Sequence, residues 1–80
     1  MTSILSAAEF GRVRAFVAVA EARSFSRAAE ALGVSPSALS QTVRLLEDSI
    51  GSQLLNRTTR SVSLTEAGTR LLNRAKAASG

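Results

Sequence analysis

The sequence predicts a mainly α fold with a three-helix core, a small β-hairpin and one further helix at the C-terminus. Three observations carry that reading. Residues 24–47, SFSRAAEALGVSPSALSQTVRLLE, divide into a short helix, a three-residue turn and a second helix. In Ser61-Val62-Ser63-Leu64 apolar and polar residues alternate with the period of a half-buried strand. A chain of 80 residues has room for one small domain only.

The first helix is expected over residues 9–22, behind a weakly patterned arm, residues 1–8, that is either frayed or a first helical turn. Val13, Phe16, Val17 and Ala20 share one stripe and Val19 borders it, while Arg12, Arg14 and Glu21 point elsewhere. Phe16 and Phe25 read as core. Arg23 and Ser24 end this helix, and Ser26, ahead of Ser24, is the expected cap of the next. In the second helix Ala28 and Ala29 allow close approach and Leu32 is the expected core anchor. Arg27 and Glu30 lie outside. Ser26 and Arg27, at the positive end of this helix, suit phosphate contact as well as they suit simple capping and solvation.

The turn has a physical reason at each step. Gly33 accepts the left-handed conformation that ends a helix. Ser35 can cap the next helix, and Pro36 falls where a missing N–H costs nothing. Val34 and Leu39 occupy the positions of a hydrophobic staple. In the third helix Leu39, Val43, Leu46 and Ile50 form a stripe at about 100° per residue. The opposite side carries Ser37, Gln41, Arg44 and Asp48, with Ser40 on its flank. Hydroxyls, an amide and a guanidinium on one short-chained face can meet base edges and phosphates in a major groove. Two short helices locked at a steep angle form a helix-turn-helix.

Gly51 stops the third helix. The runs from Leu54 to Thr58 and from Ser61 to Leu64 then predict a two-stranded wing, with Thr59-Arg60 in its turn. Arg57 and Arg60 on that wing would sit over the backbone or minor groove beside the third helix. Thr65 caps a last helix whose Glu66 suits the positive end of the helix dipole. Ala67, Leu71, Ala75 and Ala78 make one stripe and Leu72 borders it. With little left to pack against, this alanine-leucine face predicts a partner helix, most simply a second copy. Gly68 weakens the helix and so implies a packing reason. The pattern still runs at residue 80, as in a fragment of something longer.

Composition narrows the function. Ten basic residues against six acidic ones give a formal charge of +4, and from Asn56 onward five basic residues face one acid. That excess is compatible with nucleic acid. With no cysteine or histidine there is no disulfide, thiolate nucleophile or zinc site. The few carboxylates show no acid–base pair, so an enzyme is not expected, and no cofactor or metal is. No apolar run approaches a membrane span, and the N-terminus lacks the layout of a secretory signal. A cytoplasmic protein is expected.

These residues resemble the N-terminal winged helix-turn-helix of LysR-type bacterial transcriptional regulators. The likeness runs through RAFVAVAEARSFSRAAEALGVS, PSALSQTVRLLEDSIGSQLLNR and TTRSVSLTEAG, most of the chain. It implies that Ser24-Phe25-Ser26 opens the first helix of the motif and Ser35-Pro36-Ser37 the recognition helix. It implies that Pro36, Ser37, Ser40, Gln41 and Arg44 face the major groove. It implies that Arg57 and Arg60 belong to the wing and its backbone contacts, and with Ser26, Arg27 and Ser35 at the helix starts they make up the expected DNA-backbone set. Residues 9–64 would form the DNA-binding domain. Residues 65–80 would begin a linker helix that pairs two copies through Ala67, Leu71, Leu72, Ala75 and Ala78. The implied partners are an operator in double-stranded DNA and a homodimer, or a higher oligomer in the full-length protein. A small-molecule effector would act only through a C-terminal domain absent here, and no membrane is involved. Leu55 stands where the family usually has phenylalanine, leaving less volume at the base of the wing. The alternative is a winged helix used as a protein–protein or dimerisation module without DNA readout; such a module would be expected to carry apolar or acidic groups in place of Ser37, Gln41 and Arg44.

Overall fold

A computed structural model describes residues 7–57 and 62–79 of the chain. In chain order the elements are α1 (Ala7–Ala22), α2 (Phe25–Leu32), α3 (Pro36–Ile50), β1 (Leu55–Arg57), β2 (Val62–Leu64) and α4 (Glu66–Ser79). The mainly α architecture is the one expected: three packed helices, a hairpin and a C-terminal helix. Helix α1 begins at Ala7, two residues inside the segment expected to be an arm.

One core joins all the elements. Phe16 and Val19 of α1, Val43 and Leu46 of α3 and Leu55 of β1 have no exposed surface. Val19 is therefore central to the buried face of α1 and not at its border, whereas Val17 and Ala20 are only partly buried. The run Ala15 to Ala20 is apolar all round, so its own pattern does not select a face. Its neighbours α2 and α3 do.

The joints are made by local chemistry. Arg23 takes a left-handed conformation (φ 54°) and its N–H returns to the Val19 carbonyl at 2.7 Å. Ser24 is extended, and its hydroxyl accepts the Arg27 N–H at 3.1 Å. Ser24 is thus the cap of α2, and the expectation for Ser26 is corrected. With only two residues between the helices, Ser26 already lies in the first turn of α2, past the extended position a cap requires. At the other end Gly33 (φ 74°) donates to Glu30 and Val34 donates to Ala29, the paired bonds of a Schellman turn. Ser35 accepts the Ala38 N–H at 3.1 Å, with Pro36 in the first helical turn, as expected.

Three apolar expectations are revised. Leu32, expected to anchor the core, is 45% exposed because α2 ends there after eight residues and Ala28 and Ala29 make the contact instead. Ile50 is 46% exposed, because it is the last residue of α3 before the chain reverses at Gly51 (φ 82°). Val34 is 45% exposed whereas Leu39 is buried, so the first half of the expected staple stays largely open to solvent.

The hairpin is antiparallel, with Leu55 opposite Leu64, Asn56 opposite Ser63 and Arg57 opposite Val62. Its turn, including Arg60, lies outside the described residues. Thr65 ties α4 to the segment before β1. Its hydroxyl accepts the Gly68 N–H at 3.0 Å and donates to the Gln53 carbonyl at 2.6 Å, and its own N–H reaches the Leu54 carbonyl at 3.0 Å. Gly68 has the packing reason its position implied, since a β-carbon there would overlap the Leu54 carbonyl oxygen. Ala67, Leu71, Leu72 and Ala75 are partly buried against the domain's own core. That stripe, expected to lack a partner within the chain, has one in part. The Ala78 side chain lies outside the described residues. Lys76 pairs with Glu21 of α1 at 3.4 Å.

Candidate nucleic-acid interface

The exposed side of α3 forms one wall of an open groove of about 800 Å³. Pro36, Ser37, Ser40, Gln41 and Arg44 all line it, followed by Leu45 and Asp48. Phe25 of α2 and Arg57 and Val62 of the wing complete the opposite side. The register of the faces explains the wall. Leu39, Val43 and Leu46 are held in the core, which turns Ser37, Gln41 and Arg44 outward and leaves Ser40 half-buried on the flank.

The wall offers hydroxyls and an amide toward the start of α3 and a guanidinium one turn later. Arg44 is exposed, lines the groove and pairs with no carboxylate among the described residues, so its charge is not answered by an acid there. Such a surface matches base edges and phosphate oxygens in kind. The single acid on it, Asp48, lies near the C-terminal end of α3. Ser26 and Arg27 are exposed in the first turn of α2 and Ser35 is exposed at the start of α3, none of them among the residues that line the groove.

Arg57 differs from an arginine that projects freely from a wing. Its side chain is 25% exposed and pairs with Glu47 of α3 at 3.5 Å. The guanidinium carbon lies 5.1 Å from the centre of the Phe25 ring. Nε and Nη2 are buried without a hydrogen-bond partner, and the contact to Glu47 is an ion pair outside hydrogen-bond geometry. The cause is strand periodicity. Arg57 follows buried Leu55 by two residues, which puts it on the inner face of β1, while Asn56 points out.

Two residues gain a role that their sequence context did not suggest. Phe25, read as core, is half-buried in the groove under Arg57. Glu47, with no assigned role, accepts the N–H groups of Leu54 at 2.8 Å and Leu55 at 3.2 Å as well as pairing with Arg57. The alternation of Leu55 and Arg57 was a usable signal for the arginine. Nothing local marks Glu47, because its partners are set by how the chain returns after Gly51.

Comparison with known proteins identifies the family and the fold. Residues 10–69 match the family model described as bacterial regulatory helix-turn-helix protein, lysR family. The HTH-type transcriptional regulator PgrR of Escherichia coli K12 is 57% identical over 65 residues, covering 81% of this chain and 22% of its own. The chain thus spans about a fifth of the length of such curated relatives. A crystal structure of BenM_DBD in complex with catB site 1 DNA superposes with a TM-score of 0.79 at 38% identity, covering 82% of this chain and 73% of that one. A CbnR_DBD–DNA complex superposes at 0.80 and 37% identity, covering 84% and 77%.

Proposed function

The chain belongs to the lysR family of bacterial regulatory helix-turn-helix proteins, and from that premise we propose that it binds double-stranded DNA sequence-specifically to regulate transcription. Helix α3 enters the major groove, and the wing lies against the adjacent backbone or minor groove. The observation that carries this reading is that Pro36, Ser37, Ser40, Gln41 and Arg44 converge on a single open groove. The DNA complexes of the superposed relatives support it. Base edges are read from those five positions. Ser26, Arg27, Ser35 and Arg60 hold phosphates, and Arg57 belongs to the wing that flanks them. Two copies pair through α4, whose Ala67, Leu71, Leu72 and Ala75 keep part of their surface open. The pairing places one recognition helix at each half-site. No helix among the described residues is long and apolar enough to cross a membrane.

A titration with random-sequence duplex, followed by amide NMR shifts at two salt concentrations, tests the reading. Shifts gathered on Ser26 and on Ser35 to Arg44 that fade as salt rises are the expected result. Silence there, with α4 responding only to protein concentration, would replace it with the interaction-module reading.

A further inference from the structure

The geometry points to Arg57 as a positioning residue: with Glu47 and the Phe25 ring it bolts the wing to the recognition helix, and it does not ligate phosphate. This rests on the DNA-binding reading and adds to it a division of labour within the wing. Glu47 grips β1 at both ends. One carboxylate oxygen accepts the Leu54 and Leu55 N–H groups where the strand begins, and the other pairs with Arg57 where it ends. Phe25, the first residue of α2, supports the guanidinium from the third side. Thus α2, α3 and β1 meet at one side-chain cluster on the groove.

Burial closes the bidentate Nε–Nη2 edge of Arg57 to a phosphate, and Glu47 already pairs with that edge. Nε and Nη2 are sealed from solvent, so an oxygen outside the protein cannot reach them unless the side chain leaves its seat. The charge is already answered by Glu47. That pairing also has a use of its own, since an unpaired carboxylate beside a DNA-reading face would repel the backbone. A guanidinium suits the seat because it is planar and can lie on a ring while facing a carboxylate, which an ammonium cannot do.

The test uses the 80-residue chain with Arg57→Lys, Arg57→Gln, Glu47→Gln and the Arg57→Lys/Glu47→Gln double variant, each confirmed folded by circular dichroism. Binding is measured across salt to a duplex selected from a random pool and to a random-sequence duplex. Arg57→Lys and the neutral Arg57→Gln are both expected to bind the selected duplex on the order of tenfold more weakly, and Arg57→Gln is expected to keep the parent's salt slope, since no phosphate contact is lost with the charge. Glu47→Gln should lose a similar factor, and the double variant no more than the worse single one. In the parent the Arg57 Nε–H resonance should exchange slowly and keep its shift when duplex is added, a readout that needs no variant to fold. The inference is overturned if Arg57→Lys keeps full affinity, if the folded variants bind as the parent does, if the slope of Arg57→Gln falls by about 0.9 (one phosphate contact), or if the Nε–H signal moves with DNA. A parent that binds neither duplex would instead remove the DNA-binding reading, and this inference with it.

Discussion

Two serines two positions apart show how much depends on a single backbone angle. Ser24 is extended and its oxygen receives the Arg27 N–H, whereas Ser26 is exposed inside α2. Ser24→Ala should therefore cost roughly 1 kcal/mol in urea unfolding, and Ser26→Ala close to nothing. If Ser26 holds a phosphate, its loss appears only in DNA affinity. Equal stability losses would contradict the capping assignment. A second pair separates reading from holding. Gln41→Ala should narrow the gap between selected and random duplex by roughly 1–3 kcal/mol, because an amide lining the groove can address a base edge. Arg27→Ala should weaken both duplexes by the same factor. Competition binding on the two duplexes reads the difference directly, and identical behaviour of the two variants would count against the proposed base-facing set.

At the scale of elements, glycines in two helices predict opposite signs for one substitution. Gly11 lies in α1 with nothing within 4 Å of where a β-carbon would sit, so Gly11→Ala should stabilise by about 0.5–1 kcal/mol. Gly68 lies in α4 directly over the Leu54 carbonyl, so Gly68→Ala gains the same propensity and loses more to overlap, a net cost of roughly 1–3 kcal/mol. Paired thermal melts check both signs. The same contrast explains what was legible in the chain. Gly33, Ser35-Pro36 and Thr65 act on groups within a few residues, so the turn and both caps could be read locally. The outward face of α3 followed from its clear period. The burial of Val19, Leu32 and Ile50 is not legible locally because it depends on where neighbouring helices cross or end. For Arg57 the two local signals disagree: its charge suits a place over the DNA backbone, while the strand period from buried Leu55 turns it to the inner face. Its inward turn is stabilised by Glu47, ten residues away, in a contact made only once the hairpin folds back on α3.

For the whole molecule, charge and pairing meet in one observable, the salt dependence of binding. Each arginine that neutralises a phosphate releases counterions and contributes about 0.9 to the slope of log affinity against log salt. Serine hydroxyls that touch phosphate contribute none. The proposed phosphate arginines are Arg27 and Arg60, while Arg57 is already paired with Glu47. One copy on random-sequence duplex should then show a slope near 2 × 0.9, about 1.8. Two copies held together through α4 on a duplex with two half-sites should show about twice that, near 3.6. The half-buried stripe of α4 is thin and spends part of its surface on its own core, so pairing without DNA should be weak and concentration-dependent. Sedimentation equilibrium beside the salt series separates the terms. A doubled slope with monomer in free solution means that DNA assembles the pair. A slope near 1.8 on the two-site duplex at every protein concentration means that α4 does not join two copies, and half-site spacing would then have to be set by something other than this helix.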